Sequence, residues 1–156
     1  MPDDTQNQSQ DQAAVPPSIE KVLARFRKLS REDKMQALLA YSKKLEPLPE
    51  RFAALDRASF TVSECQTRVD VFPEMRDGKL AFYADIDPRQ SPTIAAFLAI
   101  LFSAVNGQPP STTLAIPPDF VRIVMESIGL GAREVGLNAM VERLKRYARE
   151  AARAAA

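Results

Sequence analysis

Ile19, Val22, Leu23 and Phe26 occupy the i, i+3, i+4, i+7 positions of one helical face, and Ser18 stands before them as a candidate cap. Ser30 with Asp33 three residues on repeats the start signal, a capping-box spacing with Asp in place of Glu. Met35, Leu38, Leu39 and Leu45 then carry a second amphipathic helix, which Pro47 and Pro49 close. The predicted opening is a helical hairpin. Ahead of it, Met1 to Pro17 is rich in Asp, Gln, Asn and Ser, has no apolar periodicity and ends in Pro16-Pro17. Such a segment cannot bury enough surface to offset ordering, so residues 1–17 are expected to be a disordered tail and 18–156 the folded domain.

From Phe60 the period falls to two. Phe60-Thr-Val62 reads as a short strand, followed by a polar loop around Cys65. Beyond the loop, Val69 and Val71 point one way and Arg68, Asp70 and Phe72 the other. Asp77-Gly78 is a primed-turn hairpin signal, and Lys79 to Asp85 returns with Leu80 and Phe82 on one face. Pro73 in the outgoing strand implies an edge or a bulge. The expectation is a small antiparallel sheet of three strands.

Ser91-Pro92 opens the most apolar stretch, with Ile94, Phe97, Leu98, Leu101, Phe102 and Val105 forming a wide stripe that Asn106-Gly107 ends. This is the predicted central helix, packed on the sheet. One possible helical turn lies between Pro109-Pro110 and Pro117-Pro118. Asp119 then caps a short helix with Phe120, Ile123 and Val124, and Gly129 to Gly131 release it. A last helix is predicted from about Arg133 to Ala151, with Val135, Met140, Val141, Leu144 and Tyr147 for packing. A helix pair, a small sheet and then helices packed on one face make the class α+β.

Composition narrows the function more than the fold. The chain has 156 residues, 46% hydrophobic and 26% charged, which suits one ordinary globular domain. A formal charge of +1 and the absence of Trp give no footprint for nucleic acid or for an anionic membrane surface. No apolar run reaches membrane-spanning length, and one cysteine excludes an internal disulfide, so a reducing cytoplasm is the expected location.

Candidate chemistry is sparse. With one Cys and no His there is no ligand set for zinc or an iron–sulfur cluster, and no metal or other cofactor is expected. Gly129-Leu-Gly131 lacks the lysine and preceding strand of a phosphate-binding loop. Asp85 and Asp87 are closely spaced, but acids at a strand end commonly cap the following turn. Cys65 remains. Without histidine it cannot run Cys–His hydrolysis, yet thiol exchange needs only an accessible thiolate and a donor. Ser63, Glu64, Gln66, Thr67 and Arg68 surround it with polar groups: Arg68 favours a thiolate and Glu64 opposes it. From these residues alone, a functional thiol, a thiol cycling through sulfenic acid and an inert cysteine in an interaction domain all stand.

The order of motifs resembles the SufE family, sulfur-acceptor partners of cysteine desulfurases, over most of the chain from Ile19 to Ala148. Glu64-Cys65-Gln66-Thr67 with Val69 is similar to that family's Gly-Cys-Gln-Ser and strand, with Glu64 replacing the glycine. Ala84-Asp85-Ile86-Asp87 resembles its acidic run. Ile94 to Val105 resembles its apolar helix, and Ala132-Arg133-Glu134-Val135-Gly136-Leu137-Asn138-Ala139-Met140 its Ser-Arg-x-x-Gly-x-x-x-Met stretch. Pro88 to Pro92 looks like a small insertion.

The resemblance implies a fold of the SufE/IscU kind and a sulfur carrier, not a stand-alone enzyme. Cys65 would take persulfide sulfur from a SufS-type, pyridoxal-phosphate cysteine desulfurase, stimulate it, and pass the sulfur to a SufBCD-type scaffold. It implies a partner interface of Glu64, Gln66, Thr67, Arg68, Asp85, Asp87 and Arg133. In it, Arg133 would lie near the cysteine loop or the partner, and Asp87 would help hold the resting loop.

Overall fold

The computed structural model describes residues 15–129 and 133–155, so residues 1–14 of the expected tail lie outside the described part. Helix α1 runs Pro17–Lys28 and α2 Arg31–Ser42. Short 3-10 turns at Glu50–Phe52 and Arg57–Phe60 lead to strands β1, Asp70–Arg76, and β2, Lys79–Asp85. Four helices follow: α3 Pro92–Val105, α4 Pro110–Leu114, α5 Phe120–Met125 and α6 Arg133–Ala155. The class is α+β.

The helices form where apolar spacing and start signals coincide. The face Ile19, Val22, Leu23, Phe26 of α1 is buried. Pro17 occupies its first turn, a position where proline's missing N–H costs nothing. Ser18 does not cap: the helix starts one residue earlier and the Ser18 hydroxyl is buried without a partner. Ser30 does cap α2, accepting a hydrogen bond from Asp33 N–H at 3.2 Å. The second helix departs from expectation in its face, because Leu38 is buried but Met35 and Leu39 are 52% and 57% exposed. In α6, similarly, Val135 is 66% exposed while Met140, Val141, Leu144 and Tyr147 are core.

The sheet has two strands among the described residues, not three. Asp77 and Gly78 take φ of 54° and 76°, the primed turn that the twist of a two-residue hairpin favours, and set the register Arg76↔Lys79 to Asp70↔Asp85. The expected first strand shrinks to a single bridge, Thr61↔Asp70, because the preceding residues wind into a 3-10 turn that the Asp56 carboxylate caps through Ala58 N–H. The other edge is covered by the turn after α3. Leu80 exchanges backbone bonds with Gly107 and Gln108, and the Asn106 amide holds both the N–H and the C=O of Phe82. Phe82 therefore points its backbone away from β1. Its register partner Pro73 sits at a non-hydrogen-bonded position, where a missing N–H breaks no ladder bond.

At the start of β1, residues on both faces, Asp70, Val71 and Phe72, are buried, and the strand becomes exposed toward Arg76. Phe72 is covered by Phe60 and Phe52 from the two 3-10 turns, with ring centroids 4.6 and 5.3 Å away. On β2, Phe82 packs against Phe102 of α3 and Tyr147 of α6. Helix α3 is the centre, with 11 of its 14 residues buried. Lys34 on α2 ties the hairpin to α5: its ammonium, in a residue only 3% exposed, donates to the carbonyls of Ile123 and Glu126 at 3.1 and 3.0 Å. These are C-terminal carbonyls that an α-helix leaves unpaired. Burial lowers the Lys34 pKa from its ordinary 10.5, partly offset by the charge of Glu126.

Candidate functional site

The polar run around Cys65 becomes a closed loop because its two ends are apolar and buried. Val62 and Val69 sit in the core, Val62 N–H donates to Val69 C=O at 2.9 Å, and Thr61 bridges Asp70. Between these feet the chain turns at once, Cys65 N–H donating to Val62 C=O at 3.2 Å. The buried Asp70 carboxylate, 1% exposed, accepts the Thr61 hydroxyl and faces Arg68 Nε at 3.6 Å. A buried charge needs such partners. Thr67 is tied to α3 through the Ser91 hydroxyl at 3.3 Å, so Ser91, at the N-cap position, uses its side chain on the loop and not on its own helix.

Helix α6 clamps the loop from below. Arg143 donates to the carbonyls of Thr61 and Ser59 at 2.9 and 3.3 Å, and the Tyr147 hydroxyl donates to Val71 C=O at 3.0 Å. One turn from the start of the same helix, Gly136 faces the cysteine. A Cβ at that glycine would stand 3.2 Å from Cys65 Cα and 3.4 Å from both Cys65 Cβ and Sγ. Positions 136, 143 and 147 share one helical face, since 7 and 11 residues are close to whole turns. The loop rests on this face.

The result is a small cleft of about 190 Å³ containing Cys65, with Glu64, Gln66 and Thr67 of the loop, Ile94 of α3, and Arg133, Gly136 and Leu137 of α6. Cys65 itself is half-buried, partly packed on the core. Of the eight residues expected at the site, the fold brings Cys65, Glu64, Gln66, Thr67 and Arg133 to this cleft. The other three lie elsewhere. Arg68 pairs with Asp70, and Asp85 pairs with Arg57. Asp87 is exposed and caps its own turn, its carboxylate accepting from Arg89 N–H and its carbonyl from Ser91 N–H. Gly136 carries a role that sequence reading had not assigned. Its signal was an isolated glycine within a helical pattern, which usually has a packing reason.

The arrangement offers one nucleophile, a guanidinium and an apolar wall. It holds no imidazole, and Glu64 is its one carboxylate among the described residues. That set suits exchange at a thiol, which proceeds by thiolate attack and departure of a second thiolate. Among the described residues no three His, Cys, Asp or Glu side chains gather as a metal site, and no helix is long and apolar enough to cross a membrane.

Comparison with known proteins finds similarity over most of the chain. The family described as "SufE: Fe-S metabolism associated domain" matches residues 20–148. An uncharacterized SufE-like protein of Mycobacterium tuberculosis is 31% identical over 144 residues, covering 89% of this chain and 96% of its own. An uncharacterized SufE-like protein of Synechocystis is 30% identical over 110 residues, 70% of this chain and 65% of its own. Among solved structures, the solution structure of a hypothetical protein from Thermus thermophilus aligns at a TM-score of 0.75 with 33% identity, covering 88% of this chain and 97% of that one. With its fold and these relatives in agreement, the chain belongs to the SufE family, a family associated with iron–sulfur metabolism.

Proposed function

We propose that this protein is a sulfur acceptor that serves a cysteine desulfurase in a reducing cytoplasm. The observation that carries the reading is the placement of its single thiol. Cys65 stands in a closed loop, half-buried in a small cleft beside Arg133, with no histidine for Cys–His hydrolysis and no second cysteine in the sequence for an internal disulfide. Membership of a family associated with iron–sulfur metabolism supports the same direction.

The proposed step is a transfer of sulfane sulfur. The Cys65 thiolate attacks the outer sulfur of a persulfide on the desulfurase cysteine. A sulfur–sulfur bond forms to Cys65, the donor's sulfur–sulfur bond breaks, and the donor cysteine leaves as thiolate. Charge and redox state balance: one thiolate and one persulfide give one persulfide and one thiolate. Taking the sulfur away returns the desulfurase to its starting form, which is how the acceptor stimulates it. Cys65 then delivers the sulfur to a SufBCD-type assembly scaffold by the same exchange. The protein carries sulfur and needs no cofactor of its own; pyridoxal phosphate belongs to the donor.

Incubation with a cognate desulfurase, pyridoxal phosphate and cysteine, followed by intact-mass measurement, tests the reading. One sulfur added to the wild type, none to Cys65→Ser, and faster sulfide release by the desulfurase are expected. An active desulfurase that neither loads nor responds to the wild-type protein overturns it.

A further inference from the structure

The two large apolar side chains that α2 leaves exposed are one turn apart and line a common groove. Met35 and Leu39, 52% and 57% exposed, form its floor with Ile128 and with Pro92 at the start of α3, in a depression of about 500 Å³. Contiguous exposed apolar surface of this kind marks an interaction site more often than scattered single residues do.

Charge at the groove is one-sided. Its two ionised walls are Arg31, the first residue of α2, and Arg133, the first residue of α6. Neither forms an ion pair among the described residues. Both stand where the helix dipole already places positive charge, and the N-terminus of α3 opens on the same groove through Pro92. Glu32 and Asp33, in the first turn of α2, are exposed but do not line it, and Glu134 faces Arg122. An apolar floor with a cationic rim is complementary to an apolar segment flanked by carboxylates.

The groove is continuous with the cysteine cleft. Arg133 lines both, and Pro92 lies two residues before Ile94, a wall of the cleft. A protein that reaches Cys65 with its own cysteine can therefore extend onto this surface.

We propose that the groove between α2 and the starts of α3 and α6 docks an acid-flanked apolar segment of the persulfide donor, with Met35 and Leu39 as its floor and Arg31 and Arg133 as its rim. The proposal rests on the sulfur-acceptor reading and adds to it the surface by which the donor is held.

The test is single-turnover sulfur transfer from a persulfide-loaded desulfurase to the full-length protein, with acceptor concentration varied. Two variants are compared with the wild type: Met35→Ser with Leu39→Ser, and Arg31→Glu. Each is expected to raise the half-saturating acceptor concentration by about tenfold, as for loss of an interface anchor or an opposed charge. The half-saturating concentration of the wild type should rise with salt, and that of Arg31→Glu should rise less. Alkylation of Cys65 by iodoacetamide, which needs no partner, should stay within about twofold for both, showing an intact loop. Unchanged half-saturation in both variants, with the wild type loading normally, overturns the groove and leaves the acceptor reading standing. A wild type that fails to load overturns the acceptor reading and the groove with it. Concentration-dependent dimers that the Ser variants abolish, with transfer untouched, would assign the groove to a second copy of this chain and also overturn the proposal.

Discussion

Gly136→Ala isolates the contact between helix α6 and the cysteine loop. The added methyl would stand 3.2 Å from Cys65 Cα and 3.4 Å from its Cβ and Sγ, so one side must move by a few tenths of an ångström. The helix is the stiffer side: Met140, Leu144 and Tyr147 anchor it in the core, and Arg143 and Tyr147 bond the chain on either side of the loop. The loop tip is held by less, a turn bond at 3.2 Å and the Thr67–Ser91 hydroxyl contact at 3.3 Å. The loop should therefore yield. Alanine in place of glycine stabilises a helix interior by about 1 kcal/mol, and overpacking costs about 1–3 kcal/mol. The net effect on global stability is small, and a domain of this size should melt within about 3 °C of the wild type. The penalty falls on the seated loop alone. At about 1–1.4 kcal/mol it multiplies the unseated population by about 5–10. The assay is the pseudo-first-order rate of iodoacetamide alkylation at Cys65, read with the melting temperature, and a 5–10-fold acceleration at unchanged melting is expected. An unchanged alkylation rate in a protein that melts normally refutes the view that this glycine is what lets the loop sit down.

Other perturbations read neighbouring parts of the fold. Arg143→Ala removes two hydrogen bonds from the foot of the loop and should destabilise the protein by about 1–2 kcal/mol in urea unfolding, with faster amide exchange near Val62. Asn106→Ala strips Phe82 of both bonds at the sheet edge; a loss of about 1–2 kcal/mol is expected, whereas an unchanged urea midpoint would mean that water replaces the amide fully. Lys34→Ala leaves the carbonyls of Ile123 and Glu126 without their donor and should cost about 1–3 kcal/mol. The same lysine predicts a pH effect. Burial lowers its folded pKa below 10.5, so between that lowered value and 10.5 the unfolded chain holds a proton the native state has lost. Stability from this group therefore rises with pH across that window, and urea midpoints of the wild type should gain on those of Lys34→Met as the window is crossed.

What was legible in the sequence is what local physics decides. The face Ile19–Val22–Leu23–Phe26, the Ser30 cap and the Asp77-Gly78 turn each depend on residues within a few positions, and each stands as expected. Non-local competition decided the rest. Phe60-Thr-Val62 has strand residues, but Asp56 captured the preceding segment for a 3-10 turn, and the free edge of β2 went to Asn106–Gln108, far along the chain. Met35 and Leu39 fit a core face by spacing and are exposed. Within the site, Cys65 was singled out by its polar loop and Arg133 by the family resemblance, and the fold brings the two to one cleft. Asp85 and Asp87 came from the resemblance to the family's acidic run; in the fold one pairs with Arg57 and the other caps its own turn. The packing of Gly136 on Cys65 joins positions 71 residues apart (136 − 65), which no local pattern can report.

That packing also links the groove to the thiol. Arg133, Gly136, Arg143 and Tyr147 all belong to α6, and they meet in turn the groove, the cysteine, the foot of the loop and the sheet. The lower part of the helix is fixed by buried side chains and by bonds to main-chain carbonyls. Its first three residues are less enclosed: Arg133 and Val135 are exposed, and Gly136 is the first residue of the helix to be buried. Arg133 thus opens the turn whose fourth residue is the seat of Cys65. Thiol exchange with a large donor needs the attacking sulfur to be accessible, whereas a half-buried resting position limits reaction with other electrophiles. One helix thus carries both the glycine on which the loop rests and a guanidinium at the cleft. The glycine keeps that contact close: a side chain there presses on Cys65 and shifts the loop toward its unseated form.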